Sequence, residues 1–304
     1  MNAVVTDRKA IRKAFIIAYG VLVGSTCYVA ILEGLGNAPP LAFAGARTIL
    51  GGTALLLVAM MTRHPVVPER RLWKWVPLVA MTATALTFGS MFLSPQFAGA
   101  GLPVILGNTQ PLFLAAFAVL FLGERMTLSR WVSFGLASLG LLFVISPAVS
   151  GGGLTLSIGA ALALLTSLAA AIGAVLVRWL EPGRSLLAFT GWQLLVGGII
   201  LSVVSAGLGE GSIHWSLSFA GVLLFLGLFN SAAFTFGWFW LLQQEEASKV
   251  GVYLFLIPVV GVTWAILFRG EIPSGAVIVG SLLILAGIFC NESAGFWHRL
   301  RFKG

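Results

Sequence analysis

Residues 111–124, PLFLAAFAVLFLGE, and residues 258–271, PVVGVTWAILFRGE, align at an offset of 147 with six of fourteen positions identical. The identities are Pro111/Pro258, Ala118/Ala265, Leu120/Leu267, Phe121/Phe268, Gly123/Gly270 and Glu124/Glu271. A second pair agrees: LAFAGARTILGG at 41–52 matches LAFTGWQLLVGG at 187–198, at an offset of 146. The chain therefore reads as two copies of one apolar unit, 1–147 and 148–304. Duplicating such a unit is a common way to build a carrier, because two similar halves can rock about a site between them.

Composition says what surrounds the copies. Of 304 residues, 59% are hydrophobic and 9% charged, against roughly 25% charged in soluble domains. A chain this apolar has too little polar surface for water, so it is expected to be an all-α integral membrane protein with the lipid bilayer as its outer partner. Its 37 glycines suit closely packed membrane helices. Cys27 and Cys290 both fall within apolar runs, without metal or redox spacing, and read as small buried residues.

Ten apolar runs approach the ~20 residues needed to cross ~30 Å of hydrocarbon. They lie at about 14–33, 41–61, 75–93, 101–121, 130–146, 155–177, 186–207, 217–241, 248–268 and 274–292. The first has a basic start but is long for a signal-peptide core and lacks a convincing cleavage site, so it is expected to stay as a span. Of the 18 Lys and Arg residues, all but Arg47 and Arg269 fall on one side of an alternating topology. By the positive-inside rule that side is the cytoplasm, with both termini in it. The net charge of +8 is thus a topology signal and not a nucleic-acid footprint. Five spans per copy means the second copy enters from the opposite face, so the repeats are expected to be inverted about an axis in the membrane plane.

Ten spans as five plus five, with a Pro–apolar–Gly–Glu stretch ending the fourth span of each half, resemble the drug/metabolite transporter superfamily. Within it the chain is similar to EamA-type exporters, and most similar to YddG-type exporters of aromatic amino acids. The resemblance implies export of small metabolites without ATP from the cytoplasm of a bacterial cell, across its inner membrane. It also implies a central cavity lined by spans 1–4 and 6–9, with spans 5 and 10 peripheral. Independently, the chain has no G-x-x-x-x-G-K-[ST] loop, no H-E-x-x-H and no G-x-S-x-G, and its histidines (His64, His214, His298) lie in loops or tails. No enzyme activity, cofactor or metal is expected, and nothing calls for more than a monomer.

Polar groups at membrane depth are costly and usually face a cavity or a partner. Arg47 either grips a substrate carboxylate in a bidentate fork or pairs with backbone carbonyls or Glu33. Gln193 holds the equivalent place in the second copy. Asn108 and Gln110 precede Pro111, which lacks an N–H and so frees a carbonyl near Gly107; they and Asn230 either line the substrate path or bond between helices. Pro258 is the matching bend. Tyr28, Trp238, Tyr253 and Trp264 could stack on a planar substrate, or pack against lipid and helices. Trp73, Trp75, Trp131, Trp215 and Trp297 read as interfacial anchors. Glu124, Glu271 and Glu292 sit near span ends, as caps, as partners of Arg125 or Arg130 in the first case, or as proton carriers if buried. No acidic pair lies at mid-depth, which weakens proton antiport and leaves uniport open.

The leading expectation is a secondary exporter of amino acids, aromatic ones favoured. Efflux of planar cationic drugs or of nucleotide-sugar-like metabolites is the alternative, with a channel or membrane sensor a further class.

Overall fold

The computed structural model describes residues 2–98, 106–149, 158–269, 272 and 274–301, and every regular element among them is helical. Apolar runs in lipid must bond their own backbone groups, which a helix does within one segment. The principal helices are α1 (Asn2–Leu35), α2 (Pro40–Met61), α3 (Val76–Phe97), α4 (Gln110–Leu122), α5 (Leu128–Val149), α6 (Ile158–Leu180), α7 (Leu186–Gly207), α8 (Leu217–Gln244), α9 (247–269) and α10 (Gly275–Arg301). Seven helical stretches, in α1–α3 and α6–α9, are long and apolar enough to cross a membrane. Among the described residues, apolar stretches of 13 to 16 residues lie in α4, α5 and α10, at Gln110–Leu122, Leu128–Phe143 and Gly275–Cys290. Large apolar side chains point outward, among them Leu120, Phe121, Val203 and Phe289, each at least 65% exposed. Such a surface belongs against lipid.

Contacts recur at the offset found in the sequence. Helix α2 packs on α7 and α5 on α10, each pair crossing its own counterpart. The remaining major contacts come as matched pairs: α3 on α6 with α1 on α8, α4 on α6 with α1 on α9, and α3 on α7 with α2 on α8. Irregularities match as well. Helix α3 contains a π turn at Ala80–Leu86 and α8 one at Phe225–Phe234. The start of α4 is broken by a turn at 108–109, and α9 carries a 3-10 turn at Val252–Phe255.

Glycines set the closest crossing. A Cβ on Gly52 would sit 2.7 Å from the Gly191 carbonyl oxygen, and one on Gly198 would sit 2.9 Å from the Ile49 nitrogen. A Cβ on Gly45 or on Gly191, equivalent in the two copies, would sit 3.1 Å from the Gly198 carbonyl oxygen or 3.2 Å from that of Gly52. The peripheral pair repeats the device, with Gly140 against the Gly280 carbonyl and Gly287 against that of Ser133. The small residues expected from composition are thus where backbones touch.

Candidate substrate cavity

A cavity of about 150 Å³ opens between α1, α3, α4, α6, α8 and α9. Tyr28, Asn108, Gln110, Asn230 and Trp238 converge on it, together with Gly107 and Pro111. The other sequence candidates lie elsewhere. Arg47 and Gln193 are fully buried behind the wall. Tyr253 borders a separate small crevice beside α1, and Trp264 donates its Nε1 hydrogen to Ser25 Oγ at 2.9 Å. Pro258 falls in the first turn after the Val252–Phe255 break and does not line the cavity.

One expectation is corrected here. Spans 2 and 7 contribute no lining residue. Their glycines draw α2 and α7 against each other, so the two helices form a spine behind the cavity instead of a wall of it.

At α4, Pro111 offers no N–H to the Gly107 carbonyl. Ser167 on α6 shares its hydroxyl hydrogen between the carbonyls of Leu106 (2.7 Å) and Gly107 (2.8 Å). The break is thereby held open without an orphaned carbonyl, and it turns Asn108 and Gln110 into the cavity. Gly107 also seats Tyr28, whose hydroxyl would stand 2.1 Å from any Cβ there.

Arg47 is the largest fully buried side chain. Its Nη2 donates to Asn230 Oδ1 at 2.6 Å, its Nε to Ser231 Oγ at 2.9 Å, and its Nη1 to Cys27 Sγ at 3.8 Å. The guanidinium lies 4.5 Å from the Phe88 ring centroid and 5.4 Å from that of Phe92. This corrects the expected pairing with Glu33 or backbone carbonyls: Glu33 is exposed, and the partners come from α8 and α1. Among the described residues no carboxylate neutralises Arg47. The contact also fixes the Asn230 amide, since the oxygen must face the guanidinium, leaving the NH₂ to serve the cavity.

The sequence missed several lining residues. Thr87, Thr166, Thr235, Phe88, Phe234 and Phe239 are among them. Thr166 and Ser90 are hydrogen-bonded at 2.8 Å, tying α6 to α3. Hydroxyls in apolar runs were the available signal, but they often bond only to their own helix. Phe88 and Phe234 resemble any other membrane phenylalanine until the fold places them.

Charged groups tie the ends of several helices together. Glu124, beyond Gly123 at the end of α4, accepts hydrogen bonds from the Ala247 N–H (2.6 Å), the Ser248 N–H (3.0 Å) and the Ser248 hydroxyl (2.6 Å). It therefore caps α9, a favourable place for a carboxylate. Arg130 pairs with Glu246 and not with Glu124. Lys13 of α1 and Lys249 both bind Glu245. Burial would raise the Glu245 carboxyl, but the Lys13 hydrogen bond and the Lys249 and Lys13 charges hold it below its ordinary 4.5. Gly270 and Glu271 lie outside the described residues, as do the side chains of Arg269 and Glu292. No group of three His, Cys, Asp or Glu side chains able to hold a metal converges among the described residues.

A multi-pass helical protein with lipid-facing apolar surface and an amide- and ring-lined cavity between its helices belongs to the class of small-molecule transporters. Within that class the chain belongs to the EamA-like transporter family, whose model matches residues 12–146 and again 157–292. It is 30% identical over 279 residues to the uncharacterized transporter YvbV of Bacillus subtilis, covering 91% of this chain and 90% of that one. It is 27% identical over 293 residues to a probable amino-acid metabolite efflux pump of Salmonella typhimurium, covering 92% and 94%. A crystal structure of another protein shares the fold with a TM-score of 0.77 at 17% identity, over 92% of this chain and 98% of that one.

Proposed function

We propose that this protein is a secondary exporter of zwitterionic amino acids, with aromatic side chains favoured, working by alternating access without ATP. The observation that carries the reading is the lining of the cavity. It combines three amides, three threonines and several rings, with no carboxylate, Lys or Arg among the described lining residues. A planar cation would find no counter-charge there, and a nucleotide sugar no partner for its phosphates, so both alternatives lose ground to a substrate of zero net charge. Asn230 supplies the pole for an α-carboxylate. Arg47 binds its oxygen from behind, which polarises the amide and strengthens the N–H donors facing the cavity. The amide oxygens of Asn108 and Gln110 are suited to accept from an ammonium group, and Trp238, Phe234 and Phe239 to stack on a ring. The Salmonella relative, a probable amino-acid metabolite efflux pump, supports the substrate class.

The reading extends to architecture. In it, ten spans divide at 147/148 into inverted five-helix repeats, with both termini and the basic loops in the cytoplasm of a bacterial cell and the chain in its inner membrane. The paired contacts and paired π turns support two gates of similar build on opposite faces, which alternating access requires. With no acidic group among the described lining residues, the coupling that fits this reading is facilitated export down the substrate gradient.

The test is counterflow in proteoliposomes free of ATP. Internal unlabelled tryptophan should draw in labelled tryptophan saturably, and Asn230→Ala should abolish it. Failure of tryptophan, phenylalanine, tyrosine and leucine alike to exchange would end the reading.

A further inference from the structure

A second and larger cavity, about 650 Å³, lies on the outside of the bundle between α2, α7 and α8. Its walls are apolar, with Leu55, Val58, Leu187, Leu228 and Ala233 along them, while Arg12, His64 and Arg184 gather at one mouth. No acidic residue lines it. Arg12 stacks over Trp240 at 4.3 Å, and neither Arg12 nor Arg184 enters an ion pair among the described residues. The groove follows α8 from Leu228 to Trp240, at most about 18 Å at the α-helical 1.5 Å per residue and less across the π turn. That is close to one leaflet, half of the ~30 Å hydrocarbon core. The two halves differ at the mouth. At the position equivalent to His64, at an offset of 146, stands Glu210, whose carboxylate accepts from the N–H groups of Leu41 (3.2 Å) and Ala42 (2.9 Å). One half thus supplies its own anion, while the other presents cations.

We infer that this groove binds an anionic phospholipid, with the phosphate between Arg12 and Arg184 and an acyl chain along Val58, Leu187 and Ala233. Basic pockets between membrane helices at the headgroup level suit such lipids, and an acyl chain fits an apolar furrow one leaflet deep. The inference requires only that the chain sits in a bilayer and is independent of the transported substrate. The groove shares α8 with the central cavity: Leu228 and Ala233 face the lipid, Asn230 and Phe234 the substrate space.

The test is native mass spectrometry of the full-length protein carried from mixed phosphatidylglycerol/phosphatidylcholine nanodiscs into mild detergent. Wild type should retain one phosphatidylglycerol at least fivefold over phosphatidylcholine. The double variant Arg12→Gln/Arg184→Gln should lose that preference, while Arg70→Gln/Arg125→Gln, matched in charge but away from the groove, should keep it. Ala233→Trp, which fills the furrow without altering charge, should lower retention of both lipids at unchanged monodispersity. Equal phosphatidylglycerol retention by the two double variants, or no preference in wild type, would overturn the inference. So would displacement of the lipid by soluble glycerol phosphate, which would mark a phosphate site with no role for the acyl chain.

Discussion

Arg47 on α2 and Gln193 on α7 occupy the same place in the two halves, and so do their partners Asn230 on α8 and Thr84 on α3. In one half a cation donates to an amide oxygen at 2.6 Å; in the other a hydroxyl donates to an amide oxygen at 2.5 Å. The scaffold kept the contact and changed its chemistry. Where the cation sits, the partner amide lines the cavity; where the neutral pair sits, Gln193 Nε2 is buried without a hydrogen-bond partner. Duplication supplies matching positions, and the chemistry beside the cavity differs where the copies stop matching.

Breaking the charged contact should have the largest effect. Arg47→Ala empties a fully buried site and strips Asn230 and Ser231 of their donors. It should cost about 3–5 kcal/mol and abolish counterflow, whereas Gln193→Ala should cost about 1–2 kcal/mol and leave exchange within a few fold. Thermal unfolding in detergent, beside counterflow, separates the two. Asn230→Asp sharpens the contrast: the new carboxylate pairs with Arg47 and keeps the fold, but it repels a substrate carboxylate. Exchange should fall more than tenfold with no drop in melting temperature.

At the α2–α7 crossing the halves should behave alike. Gly52→Val and Gly198→Val each force a side chain into opposing backbone, at about 1–3 kcal/mol or more. Comparable losses of folded yield are expected, and a marked inequality would show that the crossing is not shared evenly. Ser167→Ala should cost about 1 kcal/mol by orphaning the Gly107 carbonyl, while the Leu106 carbonyl keeps its bonds from Thr109. Its signature is a raised KM for exchange, as Asn108 and Gln110 lose their fixed presentation.

The smallest effect concerns Glu245. Its carboxyl is held below 4.5, so its contribution to stability is present above the unfolded-state value and is lost as pH falls through the lower folded-state value. Glu245→Gln should change stability at neutral pH by well under ~1 kcal/mol, the pair being partly solvated. It should also flatten the decline of melting temperature below pH 4.5, measured by a pH series of unfolding scans.

How much of this was legible depended on the range of each cause. Helical spans follow from runs of apolar residues, and the break before Pro111 follows from a missing N–H. Both are local, and both can be read from a few residues. The contacts of Arg47 are not local: Asn230 and Ser231 lie more than 180 residues away, and Glu33 was attractive only because it was near in sequence. The spine role of α2 and α7 was hidden for a similar reason. Gly51–Gly52 and Gly197–Gly198 were visible as pairs, but which helix they would face depends on the whole bundle. Rings were the least readable, since Trp238 and Trp264 carry the same signal and only one of them reaches the cavity.

The π turn of α8 has a geometric consequence. Groove residues Leu228, Ala232, Phe236 and Trp240 recur every four positions, and cavity residues Asn230, Phe234 and Trp238 recur every four between them. In a helix of 3.6 residues per turn, a four-residue spacing drifts by about 40° at each step, so neither stripe would remain on its side. The wider turn at Phe225–Phe234 offsets that drift. The wider turn keeps the two stripes on opposite sides of the helix, and α8 becomes a partition, with an apolar groove on one side and the amide- and ring-lined cavity on the other.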